Sequence, residues 1–253
     1  MSFSLSKFLL ALGVAGWIGN NGVAYGGQII ATPTGLQAGE QFRIVFVTDQ
    51  LTDATHTDIQ YYDNFVMTAA NSVGGFSYQG QALTWEAIVS TASMSAISRL
   101  NDSAPLYMIN GLQVAPTSGT TDFWDALYDP HTRPISESES GVVSGSISPI
   151  VWTGTYYTGL NSENYFGTIL SNPLGTATPL YGRSTSGNYA WDSAGTISDS
   201  TLGAVYAFSD ILTVGTASPV PEPSTFALLG LGGIVLAIGT YRRRRSVRAY
   251  QQR

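Results

Sequence analysis

The sequence predicts an α+β fold: a largely antiparallel sheet with two helices on one face and long loops between the elements. Three observations lead to it. A nearly continuous apolar and β-branched run at residues 42–48 is typical of a central strand. Residues 57–72 and 84–93 space their apolar side chains as amphipathic helices do. A hairpin signal follows at 106–114. A β-sandwich is the alternative fold.

Both helices are predicted from apolar side chains that recur three or four positions apart. We expect Thr57 to cap the N-terminus of the first helix, because its hydroxyl can accept from the first free N–H groups. The apolar stripe of the first helix is Ile59, Tyr62, Val66, Ala69 and Val73. That of the second is Trp85, Ile88, Val89 and Ala92.

The hairpin prediction depends on Asn110-Gly111, which separates the runs 106–109 and 112–114. A two-residue type I′ turn requires positive φ at both positions, and Asn-Gly meets that requirement. Further strands are expected at 150–153, 180–181, 189–191, 204–208 and 211–214. A short helix is expected at 122–127, and the polar stretch 136–148 is expected to be a mobile loop.

The N-terminus has the pattern of a secretory signal peptide. A short segment with one positive charge, Lys7, precedes an 11-residue apolar core at residues 8–18. Small residues follow, and cleavage after Ala24 or Gly26 fits the pattern equally well. We assign residues 1–26 to the signal peptide and 27–218 to one exported domain.

The C-terminus has the pattern of a membrane-arresting segment. Residues 225–241 form an uncharged apolar run of 17 residues, about 25 Å as a helix, which spans a slightly thinned bilayer. Four arginines follow, and basic residues favour the cytoplasmic side. This predicts a transmembrane helix, a cytoplasmic basic tail at 246–253, and a domain on the far side of the membrane. The membrane-stop residues are Arg242, Arg243, Arg244 and Arg245.

The residues ahead of the apolar run are Val220, Pro221, Glu222 and Pro223. The prolines lack N–H donors and keep this peptide extended and accessible. Together with the apolar run and the arginines, it resembles the PEP-CTERM sorting signal of Gram-negative bacteria that make exopolysaccharide, over about residues 219–245. The resemblance implies an exosortase, a membrane-embedded transpeptidase, as a partner and at least transient residence in the inner membrane.

The exported domain is strongly acidic. It contains four arginines, no lysine and sixteen carboxylates, a formal charge of −12. Such a surface repels phosphate backbones, so we expect no nucleic-acid partner. Cysteine is absent, which excludes disulfides and thiolate metal sites. The absence of lysine from the domain excludes Schiff-base chemistry, and His56 and His131 lie in no metal-binding spacing.

Carboxylates are the remaining candidates for chemistry. We consider Asp49, Asp53, Asp58 and Asp63 as weak candidates for a metal site, since oxygen ligands suit calcium. Their spacing matches no EF-hand loop, and Asp58 and Asp63 also suit the N-terminal half of a helix. We therefore expect no cofactor, with calcium as the alternative. Two carboxylates brought together from distant positions remain open as a glycosidase pair.

Aromatic side chains are the second candidate for a site, as stacking platforms for sugars; core positions are the favoured reading. The set is Trp85, Trp124, Trp152, Trp191, Tyr156, Tyr157, Tyr181 and Tyr189. Val151-Trp152-Thr153-Gly154 ahead of Trp191-Asp192 and a final strand resembles a C-type-lectin-like domain. That resemblance implies a fold only, because the disulfides and calcium motif of such domains are missing.

These observations predict an exported, non-enzymatic surface or extracellular-matrix protein that is sorted through an exosortase pathway and contacts exopolysaccharide. A secreted carbohydrate-active enzyme with paired carboxylates and a calcium-dependent adhesion module are the alternatives.

Overall fold

The computed structural model describes residues 27–100, 104–116, 123–124, 131–143 and 149–215. The predicted signal peptide, the sorting signal, the transmembrane helix at 225–241 and most of the predicted helix at 122–127 lie outside these residues. Within the described part of the chain, no helix has the length and apolar character needed to cross a membrane.

The described residues contain fourteen strands and one α-helix, so the fold is rich in sheet, as predicted. The strands are β1 Gln28–Ile29, β2 Gln41–Val47, β3 Phe76–Tyr78, β4 Gln81–Ala82, β5 Trp85–Ala87, β6 Leu106–Met108, β7 Gln113–Ala115, β8 Val151–Trp152, β9 Glu163–Tyr165, β10 Thr168–Leu170, β11 Leu180–Gly182, β12 Gly195–Thr196, β13 Ala204–Ser209 and β14 Leu212–Thr213. The helix is α1, Ile59–Ser72, and single 3-10 turns lie at Ala96–Ser98 and Tyr189–Trp191.

Nine strands form the main sheet, in the order β12-β11-β8-β13-β2-β6-β7, with β14 paired to β2 and β5 paired to β13. The central pair is β2 and β13, which run antiparallel. Parallel pairing occurs between β2 and β6 and between β13 and β8. The other pairings in this sheet are antiparallel, so the predicted sheet type is confirmed. Two small sheets, β1-β3-β4 and β9-β10, complete the described strands.

The core lies on both faces of β2, because successive side chains of a strand point to opposite faces. Ile44 and Phe46 belong to one buried cluster, against which α1 packs through residues such as Val66. Val45 and Val47 belong to the second cluster. Burial on both faces explains why residues 42–48 form a nearly continuous apolar run, and the prediction of a central strand is confirmed.

The first predicted helix is confirmed, with a different cap. The N-cap of α1 is Asp58, whose carboxylate accepts from the Gln60 N–H at 3.0 Å, and not Thr57. A carboxylate at this position also interacts favourably with the positive end of the helix dipole.

The second predicted helix, at 84–93, is wrong. Residues 85–87 form β5, which pairs antiparallel with β13 through Ala87 and Ala207. Trp85 and Ala87 are buried and Glu86 between them is partly exposed. Over so short a segment, the apolar side chains fit both a helix and a strand that buries every second residue, and pairing with β13 stabilises the strand.

The predicted hairpin is confirmed as β6 and β7, but its turn is not type I′. Gly111 has φ +81°, whereas Asn110 is not among the positive-φ residues. The Met108 carbonyl accepts from the Gly111 N–H, and the Met108 N–H donates to the Leu112 carbonyl, both at 2.9 Å. This is a type I turn followed by a left-handed glycine, the usual three-residue hairpin loop.

Four of the five later strand predictions are confirmed, as β8, β11, β13 and β14. The fifth, at 189–191, is wrong. These residues form a 3-10 turn because the Asn188 side chain accepts from the Ala190 N–H and caps it. The mobile loop predicted at 136–148 is also wrong where it is described. Glu137, Ser138 and Glu139 are buried, and Ser138 bridges to Val47 of β2.

Candidate functional site

An acidic junction forms at the end of β2, where two loops meet; we define it as Asp49, Glu137, Ser138, Glu139 and Ser140. The Val47 N–H donates to the Glu137 carbonyl at 3.0 Å. The Asp49 N–H donates to Glu139 Oε2 at 2.9 Å. In return, Asp49 Oδ2 accepts from the Ser138 hydroxyl at 2.9 Å and from the Ser140 hydroxyl. Each loop thus binds the other through a carboxylate.

Burial sets the electrostatics of the acidic junction. Burial raises the pKa of Glu139. The hydrogen bond from the Asp49 N–H opposes this increase, and the negative charge of the Asp49 side chain adds to it. Burial likewise raises the pKa of Glu137, which accepts from the Asn110 N–H at 2.9 Å. A carboxyl with a raised pKa beside a second carboxylate is chemically suited to proton transfer. Only Asp49 of this group was a sequence candidate, because the serine-rich composition of 136–140 suggested a loop.

The four candidate metal ligands have separate protein partners. Asp53 accepts from the N–H and hydroxyl of Thr55, and these bonds lower its pKa. Asp58 caps α1, and Asp49 belongs to the acidic junction. Across the described ranges, no group of three or more histidine, aspartate or glutamate side chains is placed to hold a metal.

Asp63 belongs to a partly buried ion pair. Its two oxygens lie 2.8 and 2.9 Å from Nη2 of Arg99, and Oδ1 also accepts from the Ala87 N–H at 2.9 Å. Arg99 Nη2 also binds Glu86 at 2.9 Å. This pair fastens α1 to β5 and to the 3-10 turn at Ala96–Ser98, which is a structural task.

The tryptophan side chains do not form a stacking surface. Trp85, Trp124, Trp152 and Trp191 are all buried in the core, as the favoured sequence reading predicted. Among the tyrosine candidates, Tyr156 is buried and donates to Asn172 Oδ1 at 3.0 Å. Tyr157 and Tyr181 are half-buried. Tyr189 is exposed, so one aromatic ring of the predicted set is accessible to a ligand.

The two histidines differ in burial. His56 is exposed and stacks on Tyr61 with ring centroids 3.5 Å apart. His131 is buried and stacks on Phe123, and its Nε2 lies 3.0 Å from the Phe123 carbonyl. Burial lowers its pKa to about 4, so this imidazole is neutral at physiological pH.

Sequence reasoning missed a second polar group, which we call the buried polar cluster: His131, Trp191, Asp192 and Tyr206. The Trp191 ring lies 5.0 Å from the His131 ring and 5.6 Å from the Tyr206 ring. Among the described residues, neither carboxylate oxygen of Asp192 has a hydrogen-bond partner, and neither has the Tyr206 hydroxyl. Burial raises the pKa of both groups well above their ordinary values. The sequence indicated Trp191 as an aromatic candidate and Trp191-Asp192 as part of a fold resemblance, but gave no signal of a buried polar group there.

The cluster can hold protons but offers no opening to a substrate. Asp192 and Tyr206 are fully buried, and the Asp192 carbonyl accepts from the Thr153 hydroxyl at 2.5 Å. Since an unpaired buried carboxylate is costly, Asp192 is held in its neutral form. The cluster therefore affects stability and its pH dependence.

Comparison with known proteins bears on the C-terminus. Residues 219–245 match the family described as the PEP-CTERM protein-sorting motif, over the range that we predicted. No curated protein matches the chain. The matched residues lie outside the described ones, which reach as far as Gly215 at this end of the chain. A motif of this kind implies export toward the cell envelope or surface. The chain therefore carries a PEP-CTERM protein-sorting motif, the signal of an exosortase-type pathway.

Proposed function

We propose that this protein is a non-enzymatic component of the cell surface or extracellular matrix, delivered there through an exosortase-type pathway. The observation that carries the proposal is the sorting motif at residues 219–245, directly after the folded domain. The apolar run at 225–241 holds the precursor in the inner membrane for a time. An exosortase-type transpeptidase then processes it, and the domain contacts exopolysaccharide at the surface.

The order of the C-terminal residues suits this sequence of events. An apolar run with a basic flank arrests the chain with its domain outside the cytoplasm. Pro221 and Pro223 keep the preceding peptide extended, as a processing enzyme needs its substrate to be. The described residues end at Gly215, and Val220 lies five positions further along the chain.

The contacts of the carboxylates support a structural role. Asp58 caps a helix, Asp63 pairs with Arg99, and Asp49 and Glu139 bind the N–H and hydroxyl groups of each other's loops. Each therefore stabilises the fold through bonds that a substrate would have to displace.

Exopolysaccharide contact is supported by charge and by one exposed ring. A domain with a formal charge of −12 repels anionic polymers and tolerates neutral sugars. Tyr189 is exposed and lies on a 3-10 turn that Asn188 caps, so its ring is held in place for stacking.

Processing is tested by the intact mass of the protein recovered from the cell surface. We expect a mass that lacks the residues after the sorting peptide, including Arg242 to Arg245. A double variant, Pro221→Ala with Pro223→Ala, should accumulate at full length in the inner membrane. Surface-attached protein that retains its arginines would contradict the proposal.

Glycan contact is tested separately, by binding of the purified surface form to an array of neutral and acidic glycans. We expect binding to neutral polymers, weakened in Tyr189→Ala and unchanged in the buried-tyrosine control Tyr107→Phe. Binding to no glycan at all would remove exopolysaccharide from the proposal and leave the sorting pathway standing.

A further inference from the structure

The hairpin of β9 and β10 stands apart from the rest of the fold. It forms a two-stranded sheet that pairs with no other described strand. Its base is held firmly, because Asn161 Nδ2 donates to the carbonyls of Thr91 and Ala92 at 3.0 and 3.2 Å. The Ser171 hydroxyl donates to the Asn161 carbonyl at 3.3 Å. The hairpin is therefore oriented by its base, while its strands remain at the surface.

The backbone of β10 has hydrogen-bonding groups that face outward. Thr168 pairs with Tyr165 across the two-residue turn Phe166-Gly167, and Ile169 pairs with Asn164. In an antiparallel hairpin, pairs of opposite residues are alternately hydrogen-bonded and not hydrogen-bonded. The pair that flanks a two-residue turn, here Tyr165 and Thr168, is hydrogen-bonded, so the next pair, Asn164 and Ile169, is not. The N–H and C=O of Ile169 therefore point away from β9. Among the described residues, no main-chain bond beyond the hairpin's own ladder involves β10.

The side chains of this edge are apolar and exposed. Phe166 is 92% exposed, Ile169 73% and Leu170 39%. Phe166 has φ +49°, a left-handed conformation that bulky L-residues rarely adopt. Strained positions of this kind cluster at functional sites. Natural proteins protect exposed edge strands with charges, prolines or bulges, and β10 has none of these.

Charge indicates what kind of partner this edge accepts. The domain has a formal charge of −12, so two copies repel each other over most of their surface. Between residues 160 and 172 the only charged side chain is Glu163, which lies on β9. The β10 edge is thus an uncharged approach for a second copy. Antiparallel pairing of β10 with itself is self-complementary, as a two-fold interface requires.

We propose that β10 is a self-association edge, through which two copies of this chain pair their β10 strands antiparallel about a two-fold axis at Ile169. In this arrangement Ile169 exchanges both main-chain hydrogen bonds with Ile169 of the second copy. The two hairpins become one four-stranded sheet, which is stable where an isolated hairpin is marginal. Phe166, Ile169 and Leu170 are removed from water in both copies. The proposal is independent of the sorting pathway.

The absence of cysteine from the chain provides a direct test. In a hydrogen-bonded antiparallel pair the Cα atoms lie about 5.5 Å apart, within the range of about 4.4–6.8 Å that a disulfide spans. Full-length Ile169→Cys in detergent, treated with a mild oxidant, should form a disulfide-linked dimer. Ile29→Cys is the matched control, because Ile29 also lies on a strand and is 81% exposed; it should form no disulfide-linked dimer.

Sedimentation of the full-length protein gives a second readout without a cross-link. Ile169→Lys places a charge at the proposed axis and should weaken the dimer at least tenfold, whereas Ile29→Lys should leave it unchanged. The proposal is overturned if the wild type is monomeric, if both cysteine variants cross-link alike, or if Ile169→Lys associates as strongly as the wild type. The last result would assign association to the apolar run at 225–241 or to another face.

Discussion

At the scale of single residues, buried ionisable groups distinguish this domain. Asp192 is fully buried, and its pKa is raised chiefly by burial. Burial is also the main reason that the pKa values of Glu137 and Glu139 are raised. A carboxyl whose pKa is raised on folding contributes stability that is fully present below its unfolded pKa, near 3.8 for aspartate. That contribution is lost as the pH rises through the raised native pKa.

Asp192→Asn tests this account of the buried polar cluster. The amide keeps the shape of the side chain and removes its ionisation, so the free energy of unfolding near pH 8 should increase by about 1–3 kcal/mol. Near pH 3 the variant and the wild type should be equally stable, since both side chains are neutral there. Chemical denaturation across this pH range measures both values.

The control for this substitution is Asp199→Asn, at a half-buried position, which should change the stability little at either pH. A loss of stability in Asp192→Asn at pH 8 would show that the carboxylate is charged and paired in the native protein. That outcome would contradict the account.

At the scale of elements, the loops around β8 are packed against main chain. Gly154 has φ +58°, and a Cβ there would lie 2.5 Å from the Ser90 carbonyl oxygen and 2.6 Å from the Leu174 N. These two groups bond to each other at 3.0 Å, and the Ser90 N–H donates to the Thr153 carbonyl at 2.7 Å. The close approach at Gly154 therefore joins three loops.

Gly154→Ala should destabilise the domain by more than left-handed strain alone. Gly141 is the matched comparison, because its φ is +79° and a Cβ there would contact nothing within 4 Å. We expect Gly141→Ala to cost about 1–2 kcal/mol for the backbone conformation. Gly154→Ala should cost about 1–3 kcal/mol more, for the steric overlap. Equal losses in thermal or denaturant unfolding would show that the loops move apart freely.

The elements also show how far the sequence could be interpreted. Residues 42–48 were assigned correctly because burial on both faces leaves a continuous apolar run. Residues 84–93 were misassigned because Trp85 and Ala87 fit helical and alternating patterns alike over so short a span. Pairing with β13 makes this segment a strand. Because β13 is more than 100 residues away in the chain, local periodicity does not reveal that pairing.

The candidate site was less predictable than the fold. Asp58 was expected near a helix start, where it is the cap. The acidic junction was missed because Ser136 to Ser140 have the composition of a loop, and their burial depends on a bridge to Val47. The cluster around Asp192 was missed because it assembles from three separate segments, at residues 131, 191–192 and 206. Local motifs carry no signal for such assemblies.

At the scale of the whole molecule, charge and sorting are divided between two parts. The domain contains sixteen of the seventeen carboxylates, and the residues after 218 contain six of the eleven basic side chains. Basic residues favour the cytoplasmic side of a membrane, so this asymmetry is typical of a chain whose acidic domain is exported. The match at residues 219–245 assigns that end to a sorting motif. The sorting motif and the described domain thus lie on separate segments of the chain.

Deletion of residues 220–245 tests the central claim most directly, with the protein followed by fractionation of cytoplasm, inner membrane, cell surface and medium. The truncated protein keeps every described element, so we expect it to be exported, folded and released into the medium, with none attached to the surface. Full-length protein should be recovered at the surface in the same experiment. If the truncated protein becomes surface-attached to the same extent, the sorting motif does not direct its location and the account is wrong.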